Sequence, residues 1–291
     1  MRKAPRRSSS LGMDMKSSDP DGSLRGRKSA PAIARSGGVQ SLNRALFILE
    51  TLAANEDGLS LTALAKTVAL PPSSAHRLLT TLQRKRFVRF EPGAMTWRIG
   101  VQAFVVGSAF ARSREVAPLA MPYMRQLMEK TGETVNLYVP NAGQAICIAQ
   151  VQSRQVVRAI SRPGGSVPLG RSAAGKAIFA KMTKTEVDEI LAKHAQPDAK
   201  RMTKSDSSKL HAELRRIRSR GFALDDEEVA PGLRCIAAAV LDEHGSAQAA
   251  ISIAGPITRL TDHRLPRLAE MVVAAGDAVT GEFSGGSRSK R

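Results

Sequence analysis

The chain has 291 residues, 42% of them apolar, which is enough for two ordinary domains with a core each. Lys and Arg total 44 against 26 Asp and Glu, and the resulting formal charge of +18 suits a polyanion, either nucleic acid or an acidic membrane surface. Two cysteines, Cys147 and Cys235, exclude a disulfide framework and a Cys/His zinc cluster, and no apolar run is long enough to span a membrane.

Residues 1–38 are rich in Ser, Gly, Pro, Arg and Lys without an apolar period, and are expected to form a disordered basic arm. No signal-like apolar stretch follows the basic start, so a cytoplasmic location is expected. From Ser41 the spacing of Leu42, Ala45, Leu46, Leu49, Leu52 and Ala53 predicts a helix with one apolar face. Ser60 is a candidate N-cap for a second helix with Leu61, Leu64, Ala65 and Val68 as its buried stripe.

A third helix is predicted from Pro71-Pro72, with Ala75, Leu78, Leu79 and Leu82 inward. Its other side carries Ser73, Ser74, His76, Arg77, Thr80, Thr81 and Arg84, with no carboxylate. A solvated face ordinarily mixes both signs, so this one reads as a nucleic-acid surface. Phe87–Phe90 and Met95–Ile99 alternate around Glu91-Pro92-Gly93-Ala94, which predicts a β-hairpin. Three helices and a hairpin outline a winged helix-turn-helix over 39–100. On that reading Ser73, Ser74, His76, Arg77 and Thr80 face a major groove of double-stranded DNA. Arg84, Lys85, Arg86, Arg89 and Arg98 extend a cationic strip toward phosphates.

Helical pattern continues from Val101 to about Lys130, with breaks expected at Pro118 and Pro122. The first part, 101–114, reads as a linker helix. Strands are predicted at Thr134–Val139, Ala145–Gln150 and Val156–Ile160. Helices follow at Ser172–Met182, Lys184–His194 and Lys204–Arg220, then strands at Ile236–Asp242 and Ala249–Ile253, and a helix over Asp262–Phe283. This order, without a βαβ rhythm, indicates an α+β domain with an antiparallel sheet over 115–283. Residues 284–291 read as a disordered basic tail.

In sequence the chain resembles the IclR family of bacterial transcriptional regulators. The likeness rests on Ser41-Leu42-Asn43-Arg44-Ala45, Leu70–Leu79 and Trp97-Arg98-Ile99-Gly100 in the first half. In the second half it rests on Leu169–Ala177, Gly221–Glu228, Gly232–Ala238 and Ala250–Pro256. The resemblance implies homodimers or homotetramers on palindromic operators, and a GAF-like C-terminal domain that binds a small-molecule effector, often an organic acid. It implies no metal and no cofactor.

The resemblance also implies an effector site. Ala173 and Ala174 align with a helix-opening pair, Asp225 with an acid, Cys235 with a cysteine and Ser252 with the first of two serines. The second serine position holds Ala254, which removes one donor and leaves room for an apolar ring or chain. Free amides at a helix start favour a carboxylate, Ser252 is suited to donate to it, and Asp225 to accept from a ligand hydroxyl. Read without the resemblance, Cys235 is a small core residue, Asp225–Glu228 a solvated turn and Ser252 a partner for a backbone carbonyl. Two other functions compete. One is a cysteine-dependent hydrolase pairing Cys235 with a histidine and Asp225. The other is an architectural protein that binds DNA without sequence preference.

Overall fold

The computed structural model describes residues 39–113, 116–156, 162–194 and 204–288. It divides into two compact units, the first ending at Phe104 and the second starting at Val105. The expected basic arm lies outside the described residues.

The first unit runs α1 (Gln40–Ala53), α2 (Leu61–Thr67), α3 (Pro72–Arg84), β1 (Val88–Glu91) and β2 (Thr96–Ile99). Local chemistry places these elements. The Ser60 side chain accepts the Ala63 amide at 3.2 Å and caps α2. Pro72 opens α3, where a missing N–H costs nothing. The strands pair antiparallel with Val88 opposite Ile99 and Phe90 opposite Trp97. Leu59 bridges to Trp97 through two backbone hydrogen bonds. Gly58, at φ +76°, lets the chain pass there, since a Cβ would lie 2.7 Å from the Trp97 carbonyl. Ile48, Leu52, Leu64, Ala75, Leu79, Val88 and Trp97 form the core.

The apolar face of α1 differs from the expected one. Ile48, Thr51 and Leu52 are buried, whereas Leu42 and Leu46 are 55% and 49% exposed and Ala53 is exposed as well. The helix has apolar residues on two faces, so periodicity alone finds Leu49 and Leu52 but sets the centre of the buried face too far toward Leu42 and Leu46. Thr51 enters the core because its hydroxyl donates to the Phe47 carbonyl at 2.7 Å.

Helix α4 (Val101–Ser113) spans the division, and the second unit continues with α5 (Val116–Thr131), β3 (Thr134–Asn141), β4 (Gln144–Val151) and β5 (Ser166–Pro168). Next come α6 (Ala173–Phe179), α7 (Lys184–Lys193), α8 (Lys204–Arg220), β6 (Ala223–Asp226), β7 (Leu233–Leu241), β8 (Ala247–Pro256) and α9 (Leu265–Arg288). The strands form one antiparallel sheet in the order β5-β4-β3-β8-β7-β6. Helices α5 and α9 cover one face through Met124, Leu127, Leu137, Ile236, Ile251, Val272 and Val279. The other face packs on α6, with Leu214 and Ile217 of α8 and Val187 of α7 in the same core.

Several expectations need correction. Pro118 sits in the first turn of α5 and Pro122 inside it, so neither proline ends the helix. The expected strand Val156–Ile160 is not described as one: Val156 lies in a bend and 157–161 fall outside the described residues. Among the described residues the strand beside β4 is Ser166–Pro168, too short to show a period. Asp225 and Asp226, which read as the start of an acidic turn over Asp225–Glu228, belong to the strand Ala223–Asp226, because Ala223 and Asp225 face a core. The helix expected over Ser172–Met182 stops at Phe179, and α9 runs to Arg288, past the start of the expected tail.

Candidate functional site

On α3 the inward residues are Ala75 and Leu79, which turns Ser73, His76, Arg77, Thr81 and Arg84 outward, with Ser74 and Thr80 half-buried at the margins. The His76 ring meets Trp97 edge-on at 6.4 Å, so the buried tryptophan of the hairpin fixes its direction. Thr80 and Thr81 donate their hydroxyl protons to the carbonyls of His76 and Arg77, leaving oxygen lone pairs outward. Among the described residues, Arg77, Arg84, Lys85 and Arg86 take part in no ion pair. Four unneutralised cations along one helix and its exit make a surface for phosphates.

Two residues expected on this strip are turned back onto the protein. Arg89 is exposed but bonded to Glu91 at 2.5 Å, two residues along its own strand. Arg98 is half-buried and donates from Nη1 to the Glu56 carbonyl at 3.0 Å. Its stem fills the space that Gly58 leaves open, where a Cβ would lie 2.7 Å from Arg98 Cγ. Arg98 therefore ties the hairpin to the α1–α2 loop. Charge and position in the sequence are the same for a strap and for a phosphate contact, so only packing separates them.

In the second unit the register gathers most of the expected effector residues. Asp225 pairs with Cys235, Cys235 with Ala254 and Ala254 with Thr134, one row across four strands. The neighbouring row is Ala223, Ala237, Ser252 and Asn136. Directly paired residues share a face, and here it is the face beneath α6. Ala173 and Ala174 lie buried at the start of α6, and Asp225, Ser252 and Ala254 are each at most 3% exposed. Small residues let the helix sit close. At Gly175 a Cβ would lie 2.3 Å from Leu169 Cα, so even one more carbon would lift α6.

The chemistry of individual residues departs from expectation. Helix α6 has seven residues, and Ser172 already accepts the Gly175 amide at 3.1 Å, so its start offers less to an anion than a long helix would. Asp225 Oδ1 accepts the amides of Glu228 and Val229 at 2.8 and 3.3 Å, which makes it the organiser of the β6–β7 loop. Burial raises the Asp225 pKa, partly offset by those two amides. Burial, with the Asp225 charge beside it, also pushes the Cys235 thiol up, leaving it protonated at neutral pH.

Two residues that the sequence reading passes over, and one cleft, complete the picture. Lys176 of α6 is 3% exposed and pairs with Glu228, whose carbonyl also accepts from Arg171. Asn136 lies in the core opposite Ser252, marked in the sequence only as a polar residue in an apolar strand. An open cleft of about 650 Å³ runs along α8 and is lined by Arg171, Lys176, Arg220, Asp226 and Glu228 among others. Asp225, Cys235, Ser252 and Ala254 do not line it. The Lys176–Glu228 pair borders both places, because Asp225 holds the Glu228 amide while the Glu228 side chain lines the cleft.

Groups of His, Cys, Asp and Glu fit to hold a metal are absent among the described residues, and no described helix is long and apolar enough to cross a membrane. Comparison with known proteins follows the same division of the chain. Residues 41–92 match the family model for the IclR helix-turn-helix domain, and residues 108–280 match that for the bacterial transcriptional regulator IclR C-terminal domain. The chain is 42% identical over 264 residues to the transcriptional repressor IclR of Escherichia coli K12, covering 90% of this chain and 96% of that protein. The crystal structure of the Thermotoga maritima IclR is 26% identical with a TM-score of 0.65, over 84% of this chain and 98% of that one. An IclR homologue from Microbacterium hydrocarbonoxydans, crystallised with 4-hydroxybenzoate, has a TM-score of 0.70 over 84% of this chain and 99% of that one. At 20% identity this last likeness concerns the fold alone.

Proposed function

The chain belongs to the IclR family of bacterial transcriptional regulators, and from that premise we propose that a small organic acid, held beneath α6, modulates its grip on operator DNA. DNA binding by the N-terminal domain and effector binding by the C-terminal domain come with the family. The class and position of the effector are the proposal. What supports them is one observation: the buried Asp225, Ser252 and Ala254 and the half-buried Cys235, set apart along the sequence, share one face of the sheet with Ala173 and Ala174 packed in the same layer.

In this reading residues 39–100 bind DNA, 101–114 link and 115–283 sense. Ser73, Ser74, His76, Arg77 and Thr80 read base edges, while Arg84, Lys85 and Arg86 hold phosphates. Arg89 and Arg98 serve the hairpin instead. Ser252 donates to the ligand carboxylate, and Asp225 acts by shaping the loop that closes the site. Ala254 leaves space for an apolar group, which supports aromatic acids as members of the candidate class beside small keto acids.

The protein acts as a homodimer or homotetramer in the cytoplasm, where its operator is. Leu42, Leu46 and Val101, exposed apolar residues of the first unit, favour self-association. The geometry gives no support to the cysteine-hydrolase alternative. A thiol whose pKa is raised is a poor nucleophile, and among the described residues no histidine is bonded to Cys235; His211 is held by Asp188 at 2.7 Å.

Fluorescence anisotropy on the protein's own upstream DNA, against random duplex at rising salt, tests the proposal. Operator is expected to stay bound at salt that releases random DNA, and an organic acid to shift that binding. Equal release of both duplexes, with no response to any acid, overturns it.

A further inference from the structure

Asn136 is fully buried, and its Nδ2 has no hydrogen-bond partner. An unmade buried donor costs about 1–3 kcal/mol, and cores rarely keep one without a use. The orientation of the amide is set by its neighbours. Gln150 Nε2 donates to Asn136 Oδ1 at 2.9 Å, and Cys147 Sγ lies 4.0 Å from the same oxygen. Gln150 is itself oriented, because Gln152 Nε2 donates to its Oε1 at 3.1 Å. Turning the Asn136 amide alone would set two NH2 groups against each other. With Gln150 so oriented, the Asn136 donor is unspent.

Asn136 stands directly opposite Ser252 across β3 and β8, so the two side chains emerge from one face about 5 Å apart. Cys147, beside Asn136, packs in the same core as α6. The Ser252 hydroxyl also makes no hydrogen bond among the described residues. Two adjacent buried groups with unused hydrogen-bonding capacity thus lie in the patch that holds Asp225, Cys235 and Ala254.

We propose that Asn136 is a ligand-contacting residue of this site, its Nδ2 donating to an oxygen of a carboxylic-acid effector that Ser252 also holds. The inference rests on the placement of the effector beneath α6. It narrows the chemistry, because an amide N–H accepts nothing: the group it meets is a carboxylate, keto or hydroxyl oxygen, never an ammonium. It also supplies the second donor that Ala254 lacks.

The test is calorimetric titration of the full-length protein with pyruvate, lactate and 4-hydroxybenzoate, using wild type, Ser252→Ala, Asn136→Leu and Asn136→Asp. At least one acid is expected to bind wild type, with affinity about 10- to 100-fold weaker in Asn136→Leu. Asn136→Asp keeps the acceptor that Gln150 needs and sets a carboxylate against the ligand, so it is expected to lose binding even if the leucine variant folds poorly. Without ligand, Asn136→Leu is expected to melt close to wild type, since relief of the unpaired donor offsets the bond from Gln150 that is also lost. Wild-type affinity in both Asn136 variants, with Ser252→Ala weakened, overturns the inference and leaves the site standing. No binding of any acid to wild type, or unchanged affinity in all three variants, overturns the site and the inference together.

Discussion

Replacing Asp225 by alanine removes the acceptor of two half-buried loop amides. The 2.8 Å bond from Glu228 to a carboxylate is worth about 1.5–3 kcal/mol, and the 3.3 Å bond from Val229 less. Against this, a carboxylate 2% exposed no longer has to be desolvated, which returns on the order of 1 kcal/mol. The net loss is about 2 kcal/mol, or about 4–8 °C in melting temperature for a unit of this size. Asp225→Asn keeps an acceptor oxygen for both amides and separates geometry from charge. The folded-state pKa of Asp225 is raised by burial, so folding favours the protonated form. That contribution is complete below the unfolded value near 4 and is lost as pH rises through the folded one. Wild type therefore loses stability between mildly acidic and neutral pH in a way the asparagine variant does not. Thermal unfolding followed by circular dichroism at pH 4.5 and pH 7.5 reads both effects. An unchanged melting temperature in Asp225→Ala refutes the loop-organising role. If the stability of Asp225→Asn relative to wild type falls as pH rises, the burial argument is refuted.

Arg77→Ala is expected to weaken operator binding by about 1–3 kcal/mol and to relax sequence preference, measured by anisotropy on operator variants. An unchanged preference removes Arg77 from the reading group. Ser252→Ala is expected to weaken effector binding about 10-fold while ligand-free operator affinity stays at the wild-type value, both measured by titration. The Lys176–Glu228 pair is asymmetric, with side chains 4% and 41% exposed, so its two halves are expected to respond differently. Glu228→Ala strands a buried ammonium and costs about 1–2 kcal/mol after allowance for solvent screening, whereas Lys176→Met is close to neutral. Denaturant unfolding of the two variants decides it, and equal losses would show that the pair acts through the shape of the loop.

Helices that start from a local signal were legible in the amino-acid order, because the signal and the element occupy the same few residues. Ser60 and Pro72 begin α2 and α3 through contacts within one turn, and α7 and α8 lie within a residue of the bounds read for them. The family likeness likewise lies in contiguous stretches, and it singled out Asp225, Cys235, Ser252 and Ala254, which the strand register then brings onto one face of the sheet. Roles that depend on a distant partner were not legible. The buried face of α1, the diversion of Arg98 to Glu56 and the strand at Ala223–Asp226 each depend on what packs opposite. Asn136 is the clearest case. Its position in an apolar strand marks it as unusual, but its neighbours Gln150 and Cys147 decide that one of its two polar atoms is satisfied and the other is not. Sequence determined which residues carry chemistry, since that is a property of the side chain. Tertiary structure decided which of them still have chemistry to spend, because a hydrogen bond or charge already matched inside the fold is no longer available to a ligand or to DNA.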